Sequence, residues 1–430
     1  MKQQGTIFRG IAGALALAMF VAALPGESWA RDRSSHISKE ALEQIETVLE
    51  REVDEGVRAG FVAAIVTREG VIYEEAVGMA DPFNDAPMTT DTRFRIASMT
   101  KPVISVAVMQ LVDRGLIALS DPVERFIPAY ANPQVAVSKT RQEDGSFETR
   151  PAKRSITIHD LLTHTAGIGY VFSMQSDLDK AYLEANLLLT EGDLSDRIDR
   201  IAELPLLTEP GEVWSYSYSI DVLGRIIEVA SGMELEAYLT ENLFEPLGMD
   251  DTEFFLSEED FDGLAVVVEF NEEGEMIRSE GNALSSNVND EAFGIASGGA
   301  GLVSTVDDYG RFMRMLLNDG ALDGARILSS ATVDLMMEDH VPMEARPEPW
   351  KTTGMSFGLG GYVIVEPGYM GNVAAEGDWG WAGYWDTHFF VNRAENIGAI
   401  LLAQTQPNPH IKPSRARDLV KGVAYGAMRD

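Results

Sequence analysis

The stretch Phe94-Arg95-Ile96-Ala97-Ser98-Met99-Thr100-Lys101-Pro102 decides how the rest of the chain is read. It opens an apolar segment, 98–114, that reads as a helix closed by Gly115. Ser98 and Lys101 then share one helix face, with Cβ atoms about 5–6 Å apart. Serine is a poor nucleophile at neutral pH and needs a base. A lysine serves when burial keeps it neutral. The helix N-terminus adds the positive end of a dipole. Pro102 suits a first turn, where its missing N–H costs little. Average usage gives about one or two Ser-x-x-Lys by chance in a chain this long, so the motif alone is weak. A capping serine followed by a solvated lysine reads the same way.

Working outward, the chain is strand-rich at both ends and helical between. Ser38 caps a helix expected to run to about Arg58, with Leu42, Ile45, Val48 and Leu49 at helical spacing. Phe61–Thr67 and Val71–Val77, across Arg68-Glu69-Gly70, read as a hairpin. Residues 132–155 are polar and irregular. Helical patterns follow at 157–164, 178–189, 195–203 and 219–231, and a strand-like pattern at 263–282. Thr305, with Asp308, starts a helix to about Asn318. The tail shows strands Phe357–Val365, Tyr384–Asn392 and Ile397–Ala403, then a helix over 413–428. This order predicts an α+β sandwich whose antiparallel sheet is built from both ends of the chain and flanked by helices. Residues 31–120 and 296–430 are expected to form the sheet domain, and 121–295 a mainly helical insert.

Composition excludes several classes. The 430 residues carry 34 Lys plus Arg against 68 Asp plus Glu, a net charge of −34, and no cysteine. So acidic a surface repels phosphate backbones, so no nucleic-acid partner is expected. Without cysteine there are no disulfides, no thiolate metal sites and no thiol nucleophile. The six histidines are scattered without ligand spacing on a helix, so no metal and no cofactor is proposed. Lys2 and Arg9, the apolar run Ile11 to Leu24, and Ser28-Trp29-Ala30 read as a signal peptide over 1–30, too short to span a membrane. A periplasmic or secreted protein is expected.

Two further stretches carry chemistry. Trp214-Ser215-Tyr216-Ser217-Tyr218 follows the turn Pro210-Gly211, and a buried tyrosine near a lysine can shuttle the serine proton. Trp381-Ala382-Gly383-Tyr384 reads as entering a strand, from which a backbone N–H completes an oxyanion hole with that of Ser98. Each is also readable as ordinary aromatic core.

Their order is more specific than any one of them. The segment 94–102 resembles the nucleophile segment of the serine β-lactamase and penicillin-binding superfamily. Leu161-Leu162-Thr163-His164-Thr165-Ala166-Gly167 and Gly298-Gly299-Ala300-Gly301-Leu302-Val303-Ser304-Thr305 are similar to two more of its segments. Within it, Tyr216-Ser217-Tyr218 and Trp381-Ala382-Gly383 look like the family VIII carboxylesterases, which have these where class C β-lactamases have Tyr-x-Asn and Lys-Thr-Gly. The resemblance covers about 40–405. It implies an esterase more than an antibiotic hydrolase, because no lysine at 381 binds a β-lactam carboxylate and no asparagine at 218 meets its acylamido group.

The resemblance implies these roles: Ser98 as nucleophile, Lys101 and Tyr216 as the proton-moving pair, and the N–H groups of Ser98 and Tyr384 as oxyanion donors. Trp381 and Tyr218 are expected to line an apolar pocket beside Gly383, and Asp221 to orient the site. The expected partner is a small ester. The alternatives are a β-lactamase or D-alanyl-D-alanine peptidase, an acyltransferase, or a non-catalytic cell-wall-binding protein. Gly354-Met355-Ser356-Phe357-Gly358 matches the lipase pentapeptide but lacks its strand–turn–helix setting, and is read as coincidence.

Overall fold

The computed structural model describes residues 37–172, 175–185, 192–257, 261, 263–279, 295–406 and 412–428; the signal peptide expected over 1–30 lies outside them. β1 (Gly60–Val66), β2 (Val71–Asp81) and β3 (Ala86–Pro87) come from the first part of the chain. β4 (Met355–Phe357), β5 (Tyr362–Ile364), β6 (Trp379–Gly383), β7 (Thr387–Asn392) and β8 (Ile397–Leu402) come from the last. Together they form one antiparallel sheet in the order β4-β5-β6-β7-β8-β1-β2-β3. All neighbours but one are consecutive strands. The exception joins the two ends, with Val62 opposite Leu402 and Ala64 opposite Ile400. The α+β sandwich expected from the sequence is therefore the fold found.

Alternation along β1 explains the layers. Every residue of β1 is buried, which requires cover on both faces. Phe61, Ala63 and Ile65 face α1 (Gln44–Asp54) and, near the C-terminus, a helix over Ala416–Gly426. Val62, Ala64 and Val66 face the larger core. That core holds α2 (Thr100–Asp113), α3 (Ser219–Ser231) and α4 (Val306–Leu317). The C-terminal helix Ala416–Gly426 is α5.

Several boundaries differ from the sequence reading. Phe357–Val365 is two strands, β4 and β5, because the chain reverses at Gly358–Gly361. Gly360 there has φ +85°, and a Cβ on it would meet Ser105 Oγ at 2.1 Å. Tyr384 follows a strand instead of entering one: β6 ends at Gly383, and the turn through Asp386 (φ +70°) precedes β7. The first helix is broken into Lys39–Leu42 and Gln44–Asp54, although Ser38 caps it as expected, accepting from the Ala41 N–H at 3.2 Å. The polar segment 132–155 holds a small hairpin, Gln134–Ala136 with Thr149–Pro151. The helix expected over 178–189 spans Asp177–Glu184, and positions 186–189 lie outside the described residues, as do 280–282 of the strand-like stretch.

Candidate active site

The nucleophile segment is stitched in place from both sides. Phe94 and Arg95 pair with Ser304 and Val303, and the Ile96 N–H donates to Leu302 O at 3.0 Å. Leu302 N–H returns a bond to Thr100 Oγ1 at 3.1 Å, and the Tyr309 hydroxyl donates to Met99 O at 2.9 Å. Ala97 is forced to φ +45°, a left-handed conformation costly for a residue with a Cβ, of order 1–3 kcal/mol. It turns the chain so that Ser98 sits on a 3-10 turn, Ala97–Met99, that runs directly into α2.

Lys101 lies one turn on, and is only 1% exposed. Its Nζ stands 3.1 Å from Ser98 Oγ and donates to Gly299 O at 2.6 Å. Asp221 on α3 fixes that carbonyl from behind: its Oδ1 accepts from the Gly299 N–H at 3.0 Å and from Ser297 Oγ at 2.6 Å. Burial holds the Asp221 carboxyl above its usual range, with the Lys101 charge and the two hydrogen bonds opposing. Only glycine fits at 299, since a Cβ would lie 2.4 Å from Asp221 Oδ2. Asp221 thus touches the site through one backbone turn.

The segment 161–167 positions Tyr216. The Gly211 N–H donates to Thr165 O, and the Ser215 N–H to His164 O. His164 Nδ1 meets Ser217 Oγ at 2.9 Å. Burial, then the Lys101 charge, pushes the His164 imidazole well below its ordinary pKa, so it stays neutral and structural. Lys101 Nζ lies 4.5 Å from the centre of the Tyr216 ring, and the Trp381 indole N–H donates to the Tyr216 hydroxyl at 3.4 Å.

Ser98, Tyr216, Trp381, Gly383 and Tyr384 line a single cavity of about 470 Å³. Gly383 brings the end of β6 against the nucleophile segment: a Cβ there would meet Ile96 O at 2.3 Å, and Thr387 Oγ1 donates to that same oxygen. Tyr218 is a correction. It does not line the cavity; it is buried behind Tyr170, ring centres 4.9 Å apart. Residues 214–218 are not a strand, so alternate side chains do not share a face, and Tyr218 instead precedes the first turn of α3.

The structure adds residues the sequence reading did not select. Tyr170 packs edge-on to Tyr216 at 5.0 Å, with Lys101 Nζ 5.3 Å from its ring centre. Burial and the neighbouring Tyr216 and Asp221 raise its phenol pKa, while a hydrogen bond with Ser98 opposes them. It stands three residues past the Leu161–Gly167 segment, which was the available signal. Phe172 lines the cavity mouth, stacked on Tyr384 at 5.3 Å. Ser356 of the lipase-like pentapeptide is in mid-strand, 0% exposed, and donates to Asp339. Among the described residues no group of three or more His, Asp or Glu is placed to hold a metal, and no helix is long and apolar enough to cross a membrane.

Residues 45–423 match the Beta-lactamase family. An uncharacterized protein of Mycobacterium tuberculosis is 34% identical over 85% of this chain and 91% of its own. Esterase EstB of Burkholderia gladioli is 31% identical over 84% and 90%. The solved structure of EstCE1, a hydrolase with promiscuous acyltransferase activity, superposes with a TM-score of 0.77 at 27% identity, covering 90% of this chain and 99% of that one. The chain belongs to the beta-lactamase family, on the side of that superfamily where the family VIII esterases stand.

Proposed function

We propose that this protein is a serine carboxylesterase acting on neutral esters through an acyl-enzyme on Ser98. The observation that carries the reading is the 3.1 Å approach of Lys101 Nζ to Ser98 Oγ at the edge of a cavity shared with Tyr216 and Trp381. Ser98 Oγ bonds to the ester carbonyl carbon as its proton passes to the Lys101–Tyr216 pair. The carbonyl oxygen takes the negative charge and is held by the N–H groups of Ser98 and Tyr384. Collapse breaks the C–O bond to the alcohol, which leaves with that proton. Water, deprotonated by the same pair, then attacks the acyl-enzyme and releases the acid. Lys101 and Tyr216 act as one coupled unit. Trp381 holds the Tyr216 hydroxyl where a cation would stand in an enzyme selecting anionic β-lactams. The leader at 1–30 supports export.

Ser98→Ala is expected to abolish p-nitrophenyl butyrate hydrolysis and labelling by a fluorophosphonate, while Ser356→Ala keeps both. The reverse pattern refutes the assignment. Acyl transfer to an alcohol is the second reading, supported by the activity printed for EstCE1; it predicts that added butanol diverts product from butyrate to butyl butyrate.

A further inference from the structure

Two aromatic rings stack at the mouth of the cavity that holds Ser98. Phe172 stands two residues after Tyr170, and Tyr384 begins the turn after β6. Their planes differ by 7° and their centres lie 5.3 Å apart. Offset stacking of this kind is what ring quadrupoles favour. Each ring is braced by the edge of a neighbour. Tyr170 meets Phe172 at 5.2 Å with 78° between planes. Trp385, itself buried, meets Tyr384 at 4.7 Å and 78°. The stack is therefore built into the site before any substrate arrives.

The brace holds Phe172 where solvent reaches it, 49% exposed. A single exposed apolar side chain is ordinary, but this one lines the active-site cavity beside Tyr216, Tyr362, Trp381 and Tyr384. Among the described residues its ring partners are Tyr170 and Tyr384. The rest of its surface is open to whatever enters. Tyr170 also packs edge-on to Tyr216 at 5.0 Å, so the exposed ring lies one ring removed from the proton-moving pair. The cavity, about 470 Å³, has room for a six-membered ring beside a scissile ester. A saturated ring placed there gains only the area it buries. A flat aromatic ring gains in addition the stacking that the pair already presents.

We propose that Phe172 is a specificity-determining residue that selects substrates carrying an aromatic ring near the scissile ester, the ring extending the Phe172–Tyr384 stack. The inference rests on the esterase reading and names the substrate class: aryl-substituted esters, such as arylacetates or esters of benzylic alcohols. Phe172 touches no reacting atom, so its effect is on which ester is turned over and not on the proton transfers.

The test compares methyl phenylacetate with methyl cyclohexylacetate, and benzyl acetate with cyclohexylmethyl acetate. The ring then stands in the acyl or the alcohol half, and each pair differs in flatness more than in bulk. Dividing each kcat/KM by the rate constant for hydroxide hydrolysis of the same ester removes intrinsic reactivity. The wild type is expected to favour the aromatic member of at least one pair roughly three- to tenfold. Phe172→Leu should bring that ratio close to one while the cyclohexyl ester is turned over as before, and Phe172→Tyr should keep the ratio. A structural loss would instead lower both members of a pair alike. A ratio near one in the wild type for both pairs, or an unchanged ratio in folded Phe172→Leu, overturns the proposal. If Phe172→Leu does not fold, calorimetry on Ser98→Ala decides: phenylacetamide must bind more tightly than cyclohexylacetamide, and equal binding or none overturns it. If the wild type cleaves none of the four esters, the esterase reading fails by itself. The same calorimetric comparison then upholds or overturns the ring site.

Discussion

Replacing Gly299 by alanine tests whether the turn behind Lys101 places the base. The added Cβ would start 2.4 Å from Asp221 Oδ2 and 3.0 Å from its Cγ. The carboxylate has little room to move, since α3 carries it and Ser297 Oγ holds its Oδ1. The turn must therefore retreat. Restoring ordinary contact needs a shift of about 1 Å, and a displacement of that size at a reacting centre costs roughly 10²-fold in rate. Gly299 O is the acceptor that aims Lys101 Nζ, so its retreat releases the amine from Ser98. The expected result is a kcat/KM on p-nitrophenyl butyrate down about 100-fold, with most of the loss in kcat. Overpacking should also cost about 1–3 kcal/mol of stability, read from the urea midpoint. Gly70→Ala is the control, since nothing lies within 4 Å of its Cβ position. A folded Gly299→Ala enzyme within about threefold of wild type, less than 1 kcal/mol in the barrier, would refute the claim that this carbonyl positions Lys101.

Two more outcomes follow from the geometry. Trp381→Phe keeps an aromatic ring but removes the N–H that the Tyr216 hydroxyl accepts, so kcat on butyrate esters should fall about tenfold, one hydrogen bond's worth, with a smaller change in KM. Burial raises Asp308 to about 6, against bonds from Thr252 and the Asp251 N–H. Stability from this group is full below the unfolded value of 3.8 and is lost as pH rises through 6, so wild type should lose stability relative to Asp308→Asn across that window, with a constant difference refuting it.

The sequence was legible where chemistry lies along a few consecutive residues. Ser98 and Lys101 share a helix turn, so their meeting follows from the helical repeat. Tyr216 could be placed beside them only through the resemblance, because the bonds that carry it there come from Thr165 and His164, some fifty residues earlier. Tyr218 is misplaced because its pocket role rests on the resemblance alone, whereas the chain turns into α3 at that residue and buries its ring behind Tyr170. Of the tail strands, the reading Tyr384–Asn392 starts β7 three residues early and misses β6 as a strand of its own: glycines at 380 and 383 weaken the apolar pattern, although the fold needs them where backbones touch. The stack at the cavity mouth was illegible. Phe172 and Tyr384 meet only because the segment after Tyr170 and the turn after β6 come together there, and no local pattern states that fact.

The junction of β1 with β8 has a consequence for the order of synthesis. β1 is among the first strands made, yet its partner on one side is residues 397–402. Until these emerge from the ribosome, a wholly apolar strand presents a row of unsatisfied N–H and C=O groups to any chain nearby. The β1–β2 hairpin can form early, but its junction with β8 must wait for residues 397–402 and carries a high loop-closure cost. Completion of this sheet therefore awaits nearly the whole chain, and the exposed edge of β1 persists until residues 397–402 are made.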